Sequence, residues 1–318
     1  MPSVVSAHAP AKVNLALSVG APRPDGMHEI ASWMATVDFG DDLLLKRLAP
    51  GTPSRYAIQW AADARRKSEI DWPVAKDLAV RAHLALESAL GLALPVQMRL
   101  DKRIPVGGGL GGGSSNAGAM LRALDALFDL RLRAEYLETI ARSLGSDVPF
   151  LVRGGSAFVE GLGERLSPAP SRAVHLVLAF PDAQCPTGQV YRTFDALANE
   201  ARVDAARVRA LASGAMSADA PFNDLADAAC AVTPALAELR DEIARLARQP
   251  VHVSGSGSTL FLVADDDFHA EALAGSIEMR LGIPAVKTVT APTRAEEIDG
   301  EVRRVAFGDA ALESLDED

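Results

Sequence analysis

Residues Pro105 to Asn116 read P-V-G-G-G-L-G-G-G-S-S-N, with six glycines among the seven positions from Gly107 to Gly113. Such a string gives up side-chain packing and loses much conformational entropy on folding, so it persists where bare backbone must approach another group or visit positive φ. An amphipathic run follows at once, with Ala117, Met120, Leu121, Leu124, Leu127 and Phe128 at helical spacing. Ser114 and Ser115 fall where that helix would be capped, and its free N–H groups and positive dipole end would point into the loop. The pattern predicts a phosphate cradle. A flexible linker would mix Gly with Ser and would not lead directly into a core-facing helix. Strand-like alternation of Val96, Met98 and Leu100 precedes the loop, which also counts against a linker. The G-K-[ST] of a P-loop and the spacing of a dinucleotide-binding turn are both missing, so neither of those folds is supported.

The bulk properties narrow the partners. A chain of 318 residues, 48% hydrophobic, can bury a core, and its length suggests two domains. No stretch approaches the roughly 18 continuous apolar residues of a membrane span, and the start M-P-S-V-V-S-A-H lacks the basic, then apolar, build of a secretory signal. A cytoplasmic protein is expected. Cys185 and Cys230 lie far apart with no C-x-x-C or Cys/His clustering, so neither a disulfide framework nor a protein-held metal site is indicated. A formal net charge of −10 with scattered Arg and Lys argues against nucleic-acid or anionic-membrane partners. Phosphates must then be held locally, by backbone N–H groups and a few placed cations.

Along the chain, Leu43 to Leu48 and the alternation of Tyr56, Ile58 and Trp60 read as strands, and Leu78, Ala82, Leu86 and Leu90 as a helix ended near Gly91. After the glycine loop and its helix, a second helix carries Leu137, Ile140, Ala141 and Leu144 inward and stops at Gly145. Ser167 to Ser171, with its prolines, reads as a domain junction. Beyond it, strands are expected at Val174 to Phe180, Thr259 to Val263 and Ala285 to Thr290, with helices around Leu236 to Leu246 and His269 to Arg280. Strands and helices without strict βαβ repetition imply α/β of the α+β kind. The expected division is 1–168, 169–293, and a charged, mobile tail over 294–318.

Five segments together resemble one family: P-A-K-V-N-L at Pro10 to Leu15, R-P-D-G-M-H at Arg23 to His28, D-K-R-I-P with the glycine loop from Asp101, G-S-D-V-P-F at Gly145 to Phe150, and S-G-S-G-S at Ser254 to Ser258. Their order and spacing are similar to the GHMP small-molecule kinases and, within them, to the kinases of a cytidine-diphosphate-linked methylerythritol in non-mevalonate isoprenoid synthesis. The resemblance implies a two-domain fold, with an N-terminal ATP-binding domain like the second domain of ribosomal protein S5 and a C-terminal ferredoxin-like α+β domain, the active site lying in the cleft. It implies phosphorylation of the polyol's 2-hydroxyl by ATP, with Asp147 as general base and Lys12 assisting. Taken alone, Asp147 reads as a helix N-cap and Lys12 as a surface lysine flanking a strand.

For the nucleotide, the resemblance points to Lys102 near the adenosine end and to Pro105, Val106, Gly107, Gly108, Gly109, Leu110, Gly111, Gly112, Gly113, Ser114 and Ser115 around the phosphates. Magnesium would bridge phosphate oxygens and not occupy a protein cage. For the acceptor it points to His28 at the cytosine edge, with Asn14 two residues from Lys12 on the same strand face, and to Tyr191, which reads equally as packing or as a stacking ring. Two departures stand out. Met27 replaces the family's tyrosine, and Asp77 stands where the family has an asparagine near adenine, so a group that can only accept replaces one that can also donate. The S-G-S-G-S segment reads either as a nest of N–H groups or as a tight turn between strands. A GHMP kinase of homoserine, mevalonate or a sugar is the alternative, and a non-catalytic nucleotide sensor a more distant one. A monomer or homodimer acting on a small CDP-linked polyol, with no nucleic acid and no membrane, is the expected assembly.

Overall fold

The computed structural model describes residues 3–197, 201–290 and 302–303. In chain order, the first half runs β1 (Val4–Pro22), β2 (His28–Arg47), β3 (Arg55–Trp60), α1 (Leu78–Leu90), β4 (Val96–Lys102), α2 (Gly112–Phe128), α3 (Ala134–Ala141), α4 (Val148–Arg153), β5 (Ser156–Gly161) and β6 (Arg165–Pro168). The second half runs β7 (His175–Ala179), α5 (Thr187–Leu197), α6 (Ala205–Ser213), β8 (Phe222–Asn223), α7 (Ala226–Val232), α8 (Pro234–Ala247), β9 (His252–Val253), β10 (Leu260–Ala264), α9 (Asp267–Leu281), β11 (Ala285–Val289) and β12 (Val302–Arg303).

The first sheet is organised around the two long strands. β1 and β2 pair antiparallel along most of their length; β4 then takes the far half of β2, from Asp42 to Arg47, and β5 takes the near half, from Ile30 to Ala35. The strict alternation of buried and half-buried residues along β4 follows from the two-residue period of a strand with one face on the core. That core is filled by α2, whose residues from Ser115 to Leu124 are buried on all sides, the pattern of a helix enclosed in the protein. Its small residues allow close approach: a side chain at Gly118 would place Cβ 2.7 Å from the Leu151 carbonyl oxygen on α4.

The second sheet has the order β11-β7-β10-β9, every pair antiparallel. Counted along the chain these are its fourth, first, third and second strands, with helices between the first and second and between the third and fourth. That is the ferredoxin-like α+β arrangement. The halves share a core in which Ala11, Val13 and Leu15 of β1 meet Leu176 and Leu178 of β7 and Phe261 of β10. Each of the larger side chains among them contributes about 1.5–3 kcal/mol when fully buried, which ties the halves together around β1.

Several boundaries differ from the sequence expectation. The helix carrying Leu137 and Ile140 ends at Ala141, and Gly145 follows in a turn whose N–H still reaches the Ala141 carbonyl. Within 169–293, β8 leaves the second sheet and pairs parallel with β1 at Ala16 and Leu17. The expected tail, 294–318, lies outside the described residues apart from β12, whose Val302 and Arg303 pair with Ala7 and Ser6 at the edge of the first sheet. No helix among the described residues is long and apolar enough to cross a membrane.

Candidate active site

β1 is irregular where its chemistry lies. Its register against β2 shifts between Pro10 and Lys12 and again between Asn14 and Ala16, so Lys12 and Asn14 sit between two bulges, the device that re-aims side chains beside functional sites. The Lys12 backbone N–H donates to the carbonyl of Leu110 in the glycine loop (3.0 Å), fastening strand to loop. Its side chain is buried, and Nζ donates to Asn14 Oδ1 at 2.7 Å. Asn14 Nδ2 donates in turn to Ser32 Oγ (2.8 Å), which donates to the Ala16 carbonyl (2.7 Å). Asn14 therefore holds Lys12, and its carbonyl oxygen is already engaged.

Asp147 sits at the N-cap position of α4, but its side chain makes no capping bond. It faces Lys12, with Oδ2 3.8 Å from Nζ, and its side chain is 28% exposed. A capping aspartate would point back along its own helix; this one points across to β1. Burial lowers the Lys12 pKa, and the nearby Asp147 charge partly restores it.

The glycine loop runs from Pro105 to the start of α2 at Gly112, and Gly107, Gly109 and Gly111 take positive φ. The helix N-cap is Gly111 in the left-handed conformation, with no side-chain cap. Ser114 and Ser115, expected at the cap, instead lie inside the first turn. Ser115 is wholly buried; its hydroxyl donates to the Pro10 carbonyl (2.6 Å) and its N–H to the Gly111 carbonyl (2.8 Å), so it ties α2 to β1 and both donors are engaged within the protein. Ser114 lines the cavity along the loop, a space of about 340 Å³ bounded at its far end by Trp72, Asp77 and Lys102.

The glycines have a second cause beyond ligand approach. A Cβ at Gly109 would lie 2.2 Å from the Ser254 carbonyl oxygen, one at Gly108 2.8 Å from Thr259 Oγ1, and one at Gly111 3.0 Å from Lys12 Cγ. The loop is pressed against the S-G-S-G-S turn, which is anchored to it by Ser254 Oγ donating to the Gly109 carbonyl (3.2 Å) and Thr259 N–H to Gly108 (3.1 Å). That turn also closes over the ammonium: a Cβ at Gly255 would stand 3.2 Å from Lys12 Nζ. Gly107 alone in the left-handed part of the loop has open space around it.

Lys102 lines the same cavity, but its ammonium is buried and paired with Asp41 Oδ2 at 2.9 Å. Asp77 caps α1, accepting from the Ala79 N–H (2.9 Å) and from Trp72 Nε1 (3.2 Å). An acceptor-only side chain suits that cap.

On the other side of Gly109 and Gly111 a larger cleft, about 580 Å³, is lined by Lys12, Asp147, Met27, His28, Tyr191 and Asp195 among others. The two cavities meet at the two glycines beside Lys12. A carbonyl only accepts, so the 2.9 Å contact of His28 Nδ1 with the Gly20 carbonyl places a proton on Nδ1 and turns Nε2 toward Asp195, 3.5 Å away. The Tyr191 ring lies 4.9 Å from the His28 ring, and its hydroxyl pKa is pushed up to about 12 by burial and then by the Asp147 charge, which keeps it neutral. Met27 stands at the lip, 52% exposed.

Sequence reasoning missed three polar groups that hold this arrangement. Asn223, on β8, donates from Nδ2 to the carbonyls of Val253 (2.8 Å) and Gly255 (2.7 Å) and so fixes the S-G-S-G-S turn. Asp195 faces His28, and Asp41 holds the entry to the glycine loop. A pair of aspartates inside the apolar run G-D-D-L-L-L was a readable signal for Asp41, because a buried carboxylate demands partners. Nothing local marks Asn223 or Asp195.

Residues 77–155 match the family model of the GHMP kinases N-terminal domain. A 4-diphosphocytidyl-2-C-methyl-D-erythritol kinase of Caulobacter sp. (strain K31) is 40% identical over 286 residues, covering 86% of this chain and 94% of that one. The solved structure of a 4-(cytidine 5'-diphospho)-2C-methyl-D-erythritol kinase superposes with a TM-score of 0.73 at 34% identity, over 90% of this chain and 99% of that one. A homoserine kinase from Cytophaga hutchinsonii gives a TM-score of 0.65 at 17% identity over 92% of this chain and 96% of that one, a likeness of fold alone. With that identity spanning both halves and the cleft between them, the chain is an ATP-dependent small-molecule kinase and belongs to the 4-diphosphocytidyl-2-C-methyl-D-erythritol kinase family of the GHMP superfamily.

Proposed function

We propose that this kinase transfers the γ-phosphoryl group of ATP to the 2-hydroxyl of 4-diphosphocytidyl-2-C-methyl-D-erythritol, releasing the 2-phosphate and ADP. The observation that carries the reading is the Lys12–Asp147 pair, 3.8 Å apart in the lining of the larger cleft, which shares Gly109 and Gly111 with the glycine-loop cavity. A phosphoryl group moving in line from one cavity to an alcohol in the other passes between them, and catalysis of such a transfer is mostly placement and charge stabilisation.

Each residue then has one job. The Asp147 carboxylate, free of any capping bond, takes the proton of the attacking hydroxyl as the oxygen–phosphorus bond forms. The Lys12 ammonium, held by Asn14, lowers the hydroxyl's effective pKa and balances the charge that builds on the phosphate oxygens. The backbone from Gly107 to Gly113 receives the triphosphate at the start of α2, with Ser114 as the adjoining hydroxyl. Ser114 and Asp147 are hard oxygen groups that would help hold a triphosphate-bound magnesium ion, which would supply charge neutralisation at the phosphate; Ser114 Oγ lies 4.0 Å from where a Gly145 Cβ would be, close to the turn that bears Asp147. In the acceptor cleft, His28 meets the cytosine edge and Tyr191 offers a neutral ring to its face.

The test is ADP release with magnesium and ATP in the presence of the CDP-linked polyol, homoserine, mevalonate and a free sugar in separate reactions. The expected result is turnover with the CDP-linked polyol at least about 1000-fold above the bare alcohols in kcat/KM, because binding of the remote nucleotide head contributes to placing the alcohol. Comparable turnover of homoserine or mevalonate would overturn the acceptor assignment.

A further inference from the structure

We propose that Asp41 is a positioning residue for the nucleotide site: it sets both ends of the glycine loop before nucleotide arrives, acting through the backbone of 103–104 and through Ile104. The proposal rests on reading that loop as the nucleotide cradle.

Asp41 stands on β2 opposite Ala9 of β1 and is wholly buried. Both carboxylate oxygens are spent on the segment where β4 gives way to the loop. Oδ1 accepts the N–H groups of Arg103 (2.6 Å) and Ile104 (2.7 Å), and Oδ2 accepts from Lys102 Nζ (2.9 Å). Two successive amides aimed at one oxygen fix the direction in which the chain leaves β4. Ile104 carries that direction onward, for a Cβ at Gly112, the first residue of α2, would lie 2.9 Å from Ile104 Cγ2. The carboxylate thus holds the loop's entry, and Ile104 packed on Gly112 holds its exit, which leaves 105–111 spanning two fixed points.

A buried ion pair is weak evidence for stability, because desolvating two charges offsets most of their attraction. Its arrangement here is better matched to geometry: the pair sits at the mouth of a loop whose backbone has no side chains of its own to orient it. Presetting the ends lowers the ordering cost that nucleotide binding would otherwise carry. It also removes the Lys102 charge from the phosphates, since that ammonium is turned toward Asp41.

The experiment uses the full chain and two variants of equal charge, Asp41→Asn and Asp41→Leu. Both leave Lys102 without its anionic partner, but only the asparagine keeps an oxygen for the two amides. The expected result is a KM for ATP at least about tenfold higher in Asp41→Leu than in Asp41→Asn, with the KM for the acceptor within twofold between them. Equal KM values for ATP in the two, or a parallel rise in both substrates' KM, would overturn the assignment. Should Asp41→Leu not fold, amide hydrogen exchange of the wild-type protein decides. The Arg103 and Ile104 amides are expected to be as protected without nucleotide as with a non-hydrolysable ATP analogue, and protection that arises only on adding the analogue would overturn it. The same exchange data test the underlying reading separately, because a loop that is no cradle would show no analogue-dependent protection from Val106 to Gly109.

Discussion

The two sides of the cleft are built from different materials. The side proposed for the nucleotide is mainly backbone: one contiguous string, Pro105 to Ser114, folded over a helix N-terminus and pressed against a second glycine turn, with Trp72, Asp77 and Lys102 completing the wall. The acceptor side is side chains brought from β1, the start of β2, the turn before α4, and α5, each of which needs the whole fold to arrive. At Gly108, Gly109 and Gly111 the backbone side has little room for an added atom, yet it asks little of residue identity beyond smallness. The side-chain side has room, about 580 Å³, and depends on which groups stand there. Substitutions should therefore act through shape on one side and through chemistry on the other.

The largest effect belongs to chemistry without shape. Asp147→Asn is nearly isosteric and removes only the ability to take a proton, so kcat is expected to fall by about 10²–10⁴ while ATP binding, measured by calorimetry, stays within a few-fold. Turnover near the wild-type level would remove the base assignment. The same variant withdraws the charge that props up Lys12, whose pKa is already lowered by burial, so that pKa should fall further; an NMR titration of the Lys12 side chain reads it. The linkage has a definite sign. Between the lowered folded-state pKa and the ordinary value the unfolded chain binds more protons, so this lysine's contribution makes stability rise with pH across that window, and more widely in the variant.

Shape without chemistry comes next. Gly109→Ala and Gly107→Ala both place an L-residue at positive φ, a strain of about 1–2 kcal/mol. The alanine at Gly109 must also displace the Ser254 carbonyl, 2.2 Å away, whereas the one at Gly107 meets open space. Gly109→Ala should raise the KM for ATP at least about tenfold more than Gly107→Ala, because the loop has to leave the turn that supports it. Equal effects would mean that φ alone explains the glycines. Asn223 acts on neither side directly but holds the turn that touches the loop and Lys12. Asn223→Asp puts a carboxylate against the carbonyl oxygens of Val253 and Gly255 in place of the N–H groups that hold them, a cost of about 1–3 kcal/mol for the groups left unsatisfied. The Tm should fall and both substrates' KM should rise, since the turn touches the loop and Lys12 alike.

The same contrast explains what was legible in the sequence. The glycine loop, its helix and the alternating β4 could be read because their causes are local: period two, period 3.6, and a composition that only a special backbone uses. Three of the second sheet's four strands were legible as apolar runs, but β9 and β8 were not, since two residues carry no period and the pairing of β8 with β1 is decided by tertiary contacts. Ser114 and Ser115 misled for a similar reason. A serine ahead of an amphipathic run is a cap signal, and here Gly111 in the left-handed conformation starts the helix earlier, freeing Ser115 to fasten α2 to β1. Lys12 and Asp147 separately looked like a surface lysine and a cap. Only their conjunction in motifs with long spacing pointed to a pair, and the 3.8 Å between them comes from two bulges that no residue pattern announces.

The smallest expected effect tests the acceptor side at its one departure from the family pattern. Met27 stands at the lip of the cleft, half exposed, where a thioether can lie against a ring without constraining its plane. Tyr191, packed against His28, is then the ring proposed to stack on the acceptor's base. Met27→Tyr would add a second plane. Aromatic pairs contribute about 0.5–1.5 kcal/mol beyond the area they bury, so the acceptor KM should fall by about two- to tenfold. The gain is made equally in ground and transition states, which leaves kcat unchanged, and the nucleotide side, built of backbone on the far side of Gly109 and Gly111, should keep its KM for ATP. An unchanged acceptor KM would show that Tyr191 and His28 already supply all the ring recognition this cleft uses. A change in the KM for ATP would show instead that the two sides are not separable, and that the lip of one cavity reaches the loop of the other.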